Sequence, residues 1–383
     1  MKLTPYIQSL RTPCYYYDTA LLQKTLDKIV TERDKHPGFH VHYAVKANAN
    51  PVLLKIIARA GLGADCVSGN EISRALECGF LPENIVYAGV GKNDWEIETA
   101  LRHSIFCFNC ESLPEIRIID EIAGRLNRKA RIALRINPNV DAHTHQYITT
   151  GIEENKFGIY LYDLEQVLTE CSHLKNTQLI GLHFHIGSQI TDLSVFRSLC
   201  IKVNEIQQNL QNRKVRLEYI NFGGGLGIDY TDPHREPIAD FAGYFDTFAR
   251  YFEPLPHQQL HFELGRSVIG HCGDLLSRVL YVKEGRNKKF AVLDAGMNDL
   301  LRPALYQAFH KIENISSDKA AEKYDVVGPI CESSDCFGKD VSLNGTERGD
   351  IIVIHSCGAY GEAMASCYNL RSLPETYFSE EKR

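Results

Sequence analysis

The sequence predicts an α/β protein in which a parallel (β/α)8 TIM barrel is followed by a second domain, an antiparallel β-barrel or sandwich. Three observations predict this fold class. Eight short apolar segments alternate with helix-period segments between residues 40 and 265, as in a barrel of about 250 residues. No G-x-G-x-x-G motif follows the first segment, which weighs against an open doubly wound sheet. After Arg266, short strand-like runs replace this alternation.

The predicted barrel strands are short runs enriched in β-branched and aromatic residues. They lie at residues 40–47, 63–68, 85–89, 105–109, 130–137, 179–187, 219–225 and 260–265. The helix-period segments between them include residues 51–60, 70–78, 112–126 and 193–210. Pro51 opens the first of these helices, and Gly61 and Gly79 follow the first two. Pro favours the first turn of a helix and Gly the position after its last turn, so these residues predict the helix ends.

The second predicted domain is made of short strands separated by turns. These strands lie at residues 277–282, 289–294, 321–327 and 350–355. Residues 12–17 (TPCYYY) also have strand character and come before the first barrel helix, so we expect them to join this domain. The predicted bounds are therefore 18–266 for the barrel, and 1–17 with 267–383 for the β domain.

Composition excludes several classes of protein. The chain has 383 residues, 44% of them hydrophobic, and a net charge of −6, so it lacks the basic character of a nucleic-acid-binding protein. It contains no apolar run of 18 residues, and its first residues lack the apolar stretch of a signal peptide. We therefore expect a cytoplasmic protein that binds neither nucleic acid nor a membrane.

Cysteine and histidine spacing predicts no metal site. The twelve cysteines are scattered, and several lie in apolar segments, as is typical of buried thiols in a reducing compartment. Cys107 and Cys110 form a single C-x-x-C without a second pair. The H-x-H pairs at 40–42, 143–145 and 183–185 have no accompanying ligand set.

Polar residues and glycines collect where the predicted barrel strands end. They include Lys46, Asp65, Asn109, Asn137, His185, Ser188, Gly223, Gly224, Gly225, Glu263, Gly265 and Arg266. Each has an ordinary structural explanation when taken alone, such as a solvated strand end, a core histidine or a tight turn. The carboxyl ends of barrel strands form the active-site face in this architecture. Together these residues therefore predict an active site.

The residue types at this face suit one cofactor, pyridoxal 5′-phosphate (PLP). A lysine amine forms an imine with an aldehyde, and glycine-rich turns bind phosphate through their backbone N–H groups. A carboxylate such as Glu263 keeps a pyridine nitrogen protonated and so makes the ring an electron sink. The flat imidazole of His185 suits stacking on such a ring.

The chain resembles the alanine-racemase-like (fold type III) PLP-dependent decarboxylases, and among them the diaminopimelate decarboxylases. The resemblance runs in order along almost the whole chain, through the motifs YAVKAN (43–48), ADCVSGNE (64–71), RINPNVDAHTH (135–145), KFG (156–158), HFHIGSQ (183–189), FGGGLG (222–227), ELGR (263–266), MNDLLRPALY (297–306), GPICESSD (328–335) and GAYGEAMAS (358–366). It implies a barrel plus a β domain, bound PLP and an obligate homodimer.

The resemblance also implies individual roles. Lys46 is expected to hold PLP as a Schiff base and Cys331 to donate a proton. Cofactor contacts are expected from Asp65, His185, Ser188, Gly223, Gly224, Gly225, Glu263, Gly265, Arg266 and Tyr360. At Leu264 the family motif usually has Pro, which presets an extended backbone. Leu adopts the same conformation, so the expected role of the motif is unchanged.

The substrate is expected to be meso-diaminopimelate, which would yield L-lysine and CO2. Matching positions for its remote end are Arg266, Arg302, Tyr306, Glu332 and Tyr360. An arginine suits a carboxylate and Glu332 suits an ammonium. Lysine or ornithine carries only an ammonium at that end and would leave a buried arginine unpaired.

Other functions stay open at this point. The first alternative is a related decarboxylase of lysine, ornithine or carboxynorspermidine. A racemase would favour an arginine near the pyridine nitrogen in place of Glu263, and an inactive PLP-binding homologue would not need to keep Lys46, Glu263 and Cys331 together. The family resemblance favours an active site shared across the dimer, with Lys46 from one subunit and Cys331 and Glu332 from the other.

Overall fold

The computed structural model describes residues 3–138 and 156–379. Its strands form two sheets, one of them a closed barrel. In chain order the strands are β1 (Cys14–Tyr17), β2 (Phe39–Ala44), β3 (Gly63–Cys66), β4 (Ile85–Tyr87), β5 (Cys107–Cys110), β6 (Ala130–Arg135), β7 (Thr177–His183), β8 (Tyr219–Asn221), β9 (Gln259–Leu264), β10 (Gly273–Glu284), β11 (Lys289–Leu293), β12 (Ile312–Asn314), β13 (Ala321–Val327), β14 (Cys336–Asn344), β15 (Ile351–Ile354) and β16 (Glu375–Phe378).

Helices alternate with the strands of the first sheet. They are α1 (Pro5–Ser9), α2 (Thr19–Arg33), α3 (Pro51–Arg59), α4 (Gly69–Glu77), α5 (Asp94–His103), α6 (Leu113–Arg125), α7 (Leu164–His173), α8 (Ser194–Asn212), α9 (Phe241–Tyr251), α10 (Arg266–Ile269) and α11 (Arg302–Tyr306). In the parts of the chain that the structure describes, every helix is too short or too polar to cross a membrane.

Strands β2 to β9 form a closed parallel barrel, as the sequence predicts. Each strand pairs with the next, and β9 returns to pair with β2. All eight predicted barrel strands and the four predicted helices named above are present. Val86, Cys107, Ala133, Ile180 and Tyr219, one from each of five consecutive strands, form a buried cluster.

Alternation along a strand decides which side chains enter the barrel. Phe262 packs on Phe248 of α9 with ring centroids 4.9 Å apart, and Phe222 packs on Phe248 at 4.7 Å. Successive side chains of a strand point to opposite faces. The neighbours of these two phenylalanines, Asn221 and Glu263, therefore face the barrel interior.

The second sheet has eight strands and is mixed, whereas the sequence analysis predicts antiparallel strands. Its main order is β12-β15-β10-β11-β13-β14, with β1 next to β10 and β16. The pairs β1–β16 and β11–β13 are parallel. Strands β12, β14 and β16 are not predicted, because β12 has three residues and β14 (CFGKDVSLN) mixes glycine and charges with apolar residues.

The chain divides into two compact units. One comprises residues 25–227 and 240–265 and contains the barrel; the other comprises residues 1–24, 228–239 and 266–383 and contains the mixed sheet. The sheet unit thus includes residues 18–24, residues 228–239 and Arg266, which the predicted domain bounds place with the barrel. Those bounds stay a prediction.

Candidate active site

Lys46 and Asp65 lie next to each other on the barrel. Lys46 is in a short 3-10 turn directly after β2, and Asp65 is in β3. Their Nζ and Oδ2 atoms are 3.2 Å apart; 39% of the lysine side chain is exposed, whereas the aspartate is fully buried. The amine is thus held by a buried carboxyl group and still open to a reactant.

The surroundings of Asp65 disfavour its charge. Burial raises the pKa of this carboxyl group to about 7, with a further rise from the negative charge of Glu263 and an opposing effect of Lys46. Its Oδ1 atom has no hydrogen-bond partner among the described residues. A buried polar atom of this kind usually has a partner, so Oδ1 is available to a donor on a bound molecule.

Glu263 collects hydrogen bonds from three other barrel strands. Its Oε1 accepts from Asn109 Nδ2 at 3.0 Å and from Asn221 Nδ2 at 2.7 Å, and its Oε2 lies 2.9 Å from His183 Nε2. Burial opposes ionisation, but the nearby histidine and Lys46 lower the pKa of Glu263 below its ordinary value. A fixed negative charge therefore lies inside the barrel.

His185 presents a neutral ring close to these groups. Its Nδ1 accepts a hydrogen bond from the backbone N–H of Gly224 at 3.3 Å. Burial, followed by the positive charges of Arg135 and Lys46, lowers the pKa of this imidazole well below its ordinary value. The ring is therefore uncharged at neutral pH and suited to stacking.

The turn after β8 requires glycine. Gly223 and Gly225 have φ values of +67° and +114°, which side chains disfavour. A Cβ atom on Gly224 would lie 1.9 Å from the backbone oxygen of Glu263. This turn therefore packs its backbone directly against β9, and it has no side chains of its own that a bound group would meet.

Two buried arginines in the sheet unit share one tyrosine oxygen. Arg266 Nη1 donates to Tyr230 Oη at 2.6 Å, and Arg302 Nη1 donates to the same atom at 2.7 Å. The Tyr360 ring centroid lies 4.9 Å from the guanidinium carbon of Arg266. Two cations on one neutral oxygen create a positive potential that suits an anion such as a carboxylate.

The remaining predicted site residues fall into both units. Ser188 and Gly265 lie in the barrel unit, half-buried and buried, and Tyr306 is the half-buried last residue of α11. Cys331 and Glu332 are exposed, the backbone N–H of Cys331 donates to Asn369, and Glu332 accepts a short hydrogen bond from Tyr368. The structure thus brings one predicted group together in the barrel. It brings a second group together at Tyr230, where Arg266 and Arg302 meet and Tyr360 lies against Arg266. No described contact joins Cys331 or Glu332 to either group.

Several residues in these two groups are given no individual role in the sequence-based prediction, although Asn109 is among the polar residues that predict the active-site face. Those without an individual role are Asn109, His183, Asn221 and Tyr230. Asn109 stands at a predicted strand end and His183 belongs to an H-x-H pair, so both had a weak signal. Tyr230 had none, because it lies in a loop between the seventh barrel strand and α9. His143 and His145 fall in residues 139–155, outside the described residues.

Comparisons with known proteins point to one family. The family model described as "Pyridoxal-dependent decarboxylase, pyridoxal binding domain" matches residues 22–270. A diaminopimelate decarboxylase of Bacteroides thetaiotaomicron is 58% identical over 98% of this chain and 97% of its own. The diaminopimelate decarboxylase of Helicobacter pylori, solved with L-lysine, superposes with a TM-score of 0.92 at 40% identity, over 98% of this chain and 94% of its own.

A more distant structure shows the same likeness. The diaminopimelate decarboxylase of M. jannaschii, also solved with L-lysine, superposes with a TM-score of 0.89 at 34% identity. The match covers 96% of this chain and 87% of that one. The likeness therefore spans both units.

We expect Gly224→Ala to destabilise the protein by about 1–3 kcal/mol, as inserting a methyl group into a packed site does. The added Cβ would meet the backbone of β9, which cannot move without displacing Glu263. Chemical denaturation followed by circular dichroism measures the change. Gly91→Ala is the matched control, because a Cβ there meets nothing within 4 Å. Equal stability of the two variants would mean that the turn can shift to accommodate the added methyl group at little cost in free energy of unfolding.

Proposed function

This chain belongs to the pyridoxal-dependent decarboxylases, and from that premise we propose that it converts meso-diaminopimelate to L-lysine and CO2. The observation that carries the choice of substrate is the pair of buried arginines on Tyr230. Diaminopimelate has a second carboxylate at its remote end, and lysine and ornithine do not. The names of the similar proteins support the same reaction.

The residues of the barrel fit PLP as the cofactor. Lys46 offers a partly exposed amine, Asp65 Oδ1 lacks a partner among the described residues, and the three glycines of the turn after β8 have no side chains that would block a phosphate. Lys46 would bind the aldehyde carbon, and Gly223–Gly225 with Ser188 and the backbone of Gly265 and Arg266 would hold the phosphate. When bound, the cofactor accepts the electron pair that the departing carboxylate leaves behind.

Glu263 and His185 would orient the ring. A carboxylate ionises where its charge is hydrogen-bonded, and the three donors on Glu263 keep it charged. It therefore would hold a proton on the pyridine nitrogen. The uncharged imidazole of His185 would stack on the ring without adding a competing positive charge.

The substrate's remote end and the final proton need groups from the sheet unit. Arg302, with Arg266 beside it, would bind the remote carboxylate, and Glu332 the remote ammonium. Tyr306 and Tyr360 would line the same region. Cys331 would give the proton that replaces CO2 at the α-carbon.

We also propose that the enzyme acts as a homodimer in the cytoplasm. Cys331 and Glu332 are exposed in the single chain, as are the apolar side chains of Leu305, Phe309, Tyr368, Leu370 and Leu373. Leu370 is 99% exposed. Of these apolar side chains, Tyr368 contacts Glu332, and exposed apolar side chains beside a candidate site residue suit cover by a second copy. All twelve cysteines lie in described residues and none of them forms a disulfide there, which suits a reducing compartment.

Lys46→Ala is expected to abolish covalent attachment of PLP. Borohydride reduction of the wild-type holoenzyme should leave a stable PLP adduct on the peptide that contains Lys46, detected by mass spectrometry. Lys55→Ala, which removes an exposed lysine, should keep the adduct. A reducible adduct in Lys46→Ala would assign the attachment to another lysine.

Arg302→Ala is expected to lower turnover of diaminopimelate and to change any weak activity on lysine little. Losing a buried ionic contact costs about 2–5 kcal/mol, and only diaminopimelate makes that contact. CO2 release from both substrates measures the effect, with melting curves to verify the fold. Arg286→Ala, at an exposed position, is the control. Equal losses on both substrates would assign Arg302 a structural or shared role.

Mixing two inactive variants tests the shared active site. Lys46→Ala and Cys331→Ala should each be nearly inactive alone, and co-refolding should yield heterodimers with one intact site. Half of randomly mixed dimers are heterodimers, so activity should recover to about a quarter of wild type. Heterodimers isolated with two different tags and showing no activity would place the whole site in one chain.

A further inference from the structure

Three side chains from distant parts of the sequence converge in the sheet unit, apart from the residues discussed so far. His234, Glu313 and His355 each offer one ligand atom, and these atoms all lie within 4.8 Å of one another. Glu313 Oε2 is 2.8 Å from His355 Nε2 and 3.6 Å from His234 Nε2. The two imidazole rings meet edge to face, with centroids 4.8 Å apart.

The two distances from Glu313 Oε2 lie close to those between the ligand atoms of a tetrahedral metal ion. Zn²⁺ binds His nitrogen and carboxylate oxygen at about 2.0–2.1 Å, so two ligand atoms of a tetrahedral site lie about 3.3–3.4 Å apart. The two distances from Glu313 Oε2 bracket that value. Two histidines and one carboxylate form a ligand set that zinc uses, with water at the fourth position.

Neighbouring charged residues orient these side chains, as residues that hydrogen-bond to metal ligands do in known metal sites. His355 Nδ1 lies 3.2 Å from Asp274 Oδ2, which leaves Nε2 facing Glu313. A carboxylate on the far nitrogen of a ligating histidine is the usual arrangement. Lys311 Nζ contacts Oε1 of Glu313 at 3.2 Å, so Oε2 stays on the side of the histidines.

The cluster is reachable by solvent from one side. The His234 side chain is 49% exposed and the Glu313 side chain 35%, whereas His355 is buried. A buried ligand fixed by Asp274 and two more accessible ligands allow an ion to enter without unfolding of the sheet.

We propose that His234, Glu313 and His355 bind one Zn²⁺ or a similar borderline divalent cation per chain, with water as the fourth ligand. On binding, the N–H bond at His355 Nε2 breaks, its proton passes to solvent, and a nitrogen–metal bond forms in its place. Glu313 is on β12 and His355 follows β15, two paired strands, while His234 lies in the segment 228–239. The ion would therefore fasten that segment to the sheet.

Spectroscopic titration with Co²⁺ tests the site. Untagged holoenzyme, freed of metal by a chelator, is expected to develop the visible d–d bands of tetrahedral Co²⁺, at longer wavelengths than the cofactor absorbs. The bands should saturate at one equivalent per chain, and Zn²⁺ should abolish them by competition. His234→Ala, at an accessible position, should bind Co²⁺ about tenfold or more weakly, and Asp274→Asn should weaken binding about 10–100-fold.

His173→Ala is the matched control, since this histidine is exposed on α7. It should bind Co²⁺ like the wild type. Saturation at one equivalent that is lost in His234→Ala and kept in His173→Ala supports the site. Octahedral Co²⁺ spectra alone, no saturable binding, or equal affinity in both histidine variants would overturn it. This readout does not depend on the proposed decarboxylation, so either proposal can fail without the other.

Discussion

Pairing of β9 with β2 closes the barrel, and every group in the barrel site depends on that closure. In this register His42 lies opposite Glu263 and Tyr43 opposite Leu264. Lys46 follows within the next turn, so the first and last strands present an amine and a carboxylate at the same end. An open sheet would leave these two strands at opposite edges. Closure also lets β5, β7 and β8 send Asn109, His183 and Asn221 to the same carboxylate.

The barrel interior contains two buried carboxyl groups whose pKa values shift in opposite directions: that of Asp65 is raised and that of Glu263 is lowered. Charged groups buried in a low dielectric need partners, and Glu263 has three donors while Asp65 has Lys46. Glu263 therefore carries the charge, which in turn makes ionisation of Asp65 harder. The barrel thus holds one carboxylate that stays charged and one carboxyl group that titrates near neutral pH, although both lie on the strands that flank β2.

Sequence reasoning reached the barrel because most residues of its strands are buried, and helices with clear ends separate the strands. Lys46, Asp65 and Glu263 were found because parallel strands bring their carboxyl ends to one face. Tyr230 could not be found this way, since a loop residue is placed by tertiary packing. The strands β14 and β16 were missed because sheet pairing stabilises runs such as CFGKDVSLN that lack clear alternation. The convergence of His234, Glu313 and His355 also needs the fold, since no spacing rule links those positions.

The shared phenol oxygen of Tyr230 has a practical consequence for anyone handling this protein. Two buried guanidinium groups that meet there would attract small anions. Citrate, sulfate and phosphate carry the charge that such a pair recognises. Buffer salts of this kind would compete with an amino-acid ligand, so affinities measured in them would be underestimates, and chloride or zwitterionic buffers would be the better reference medium.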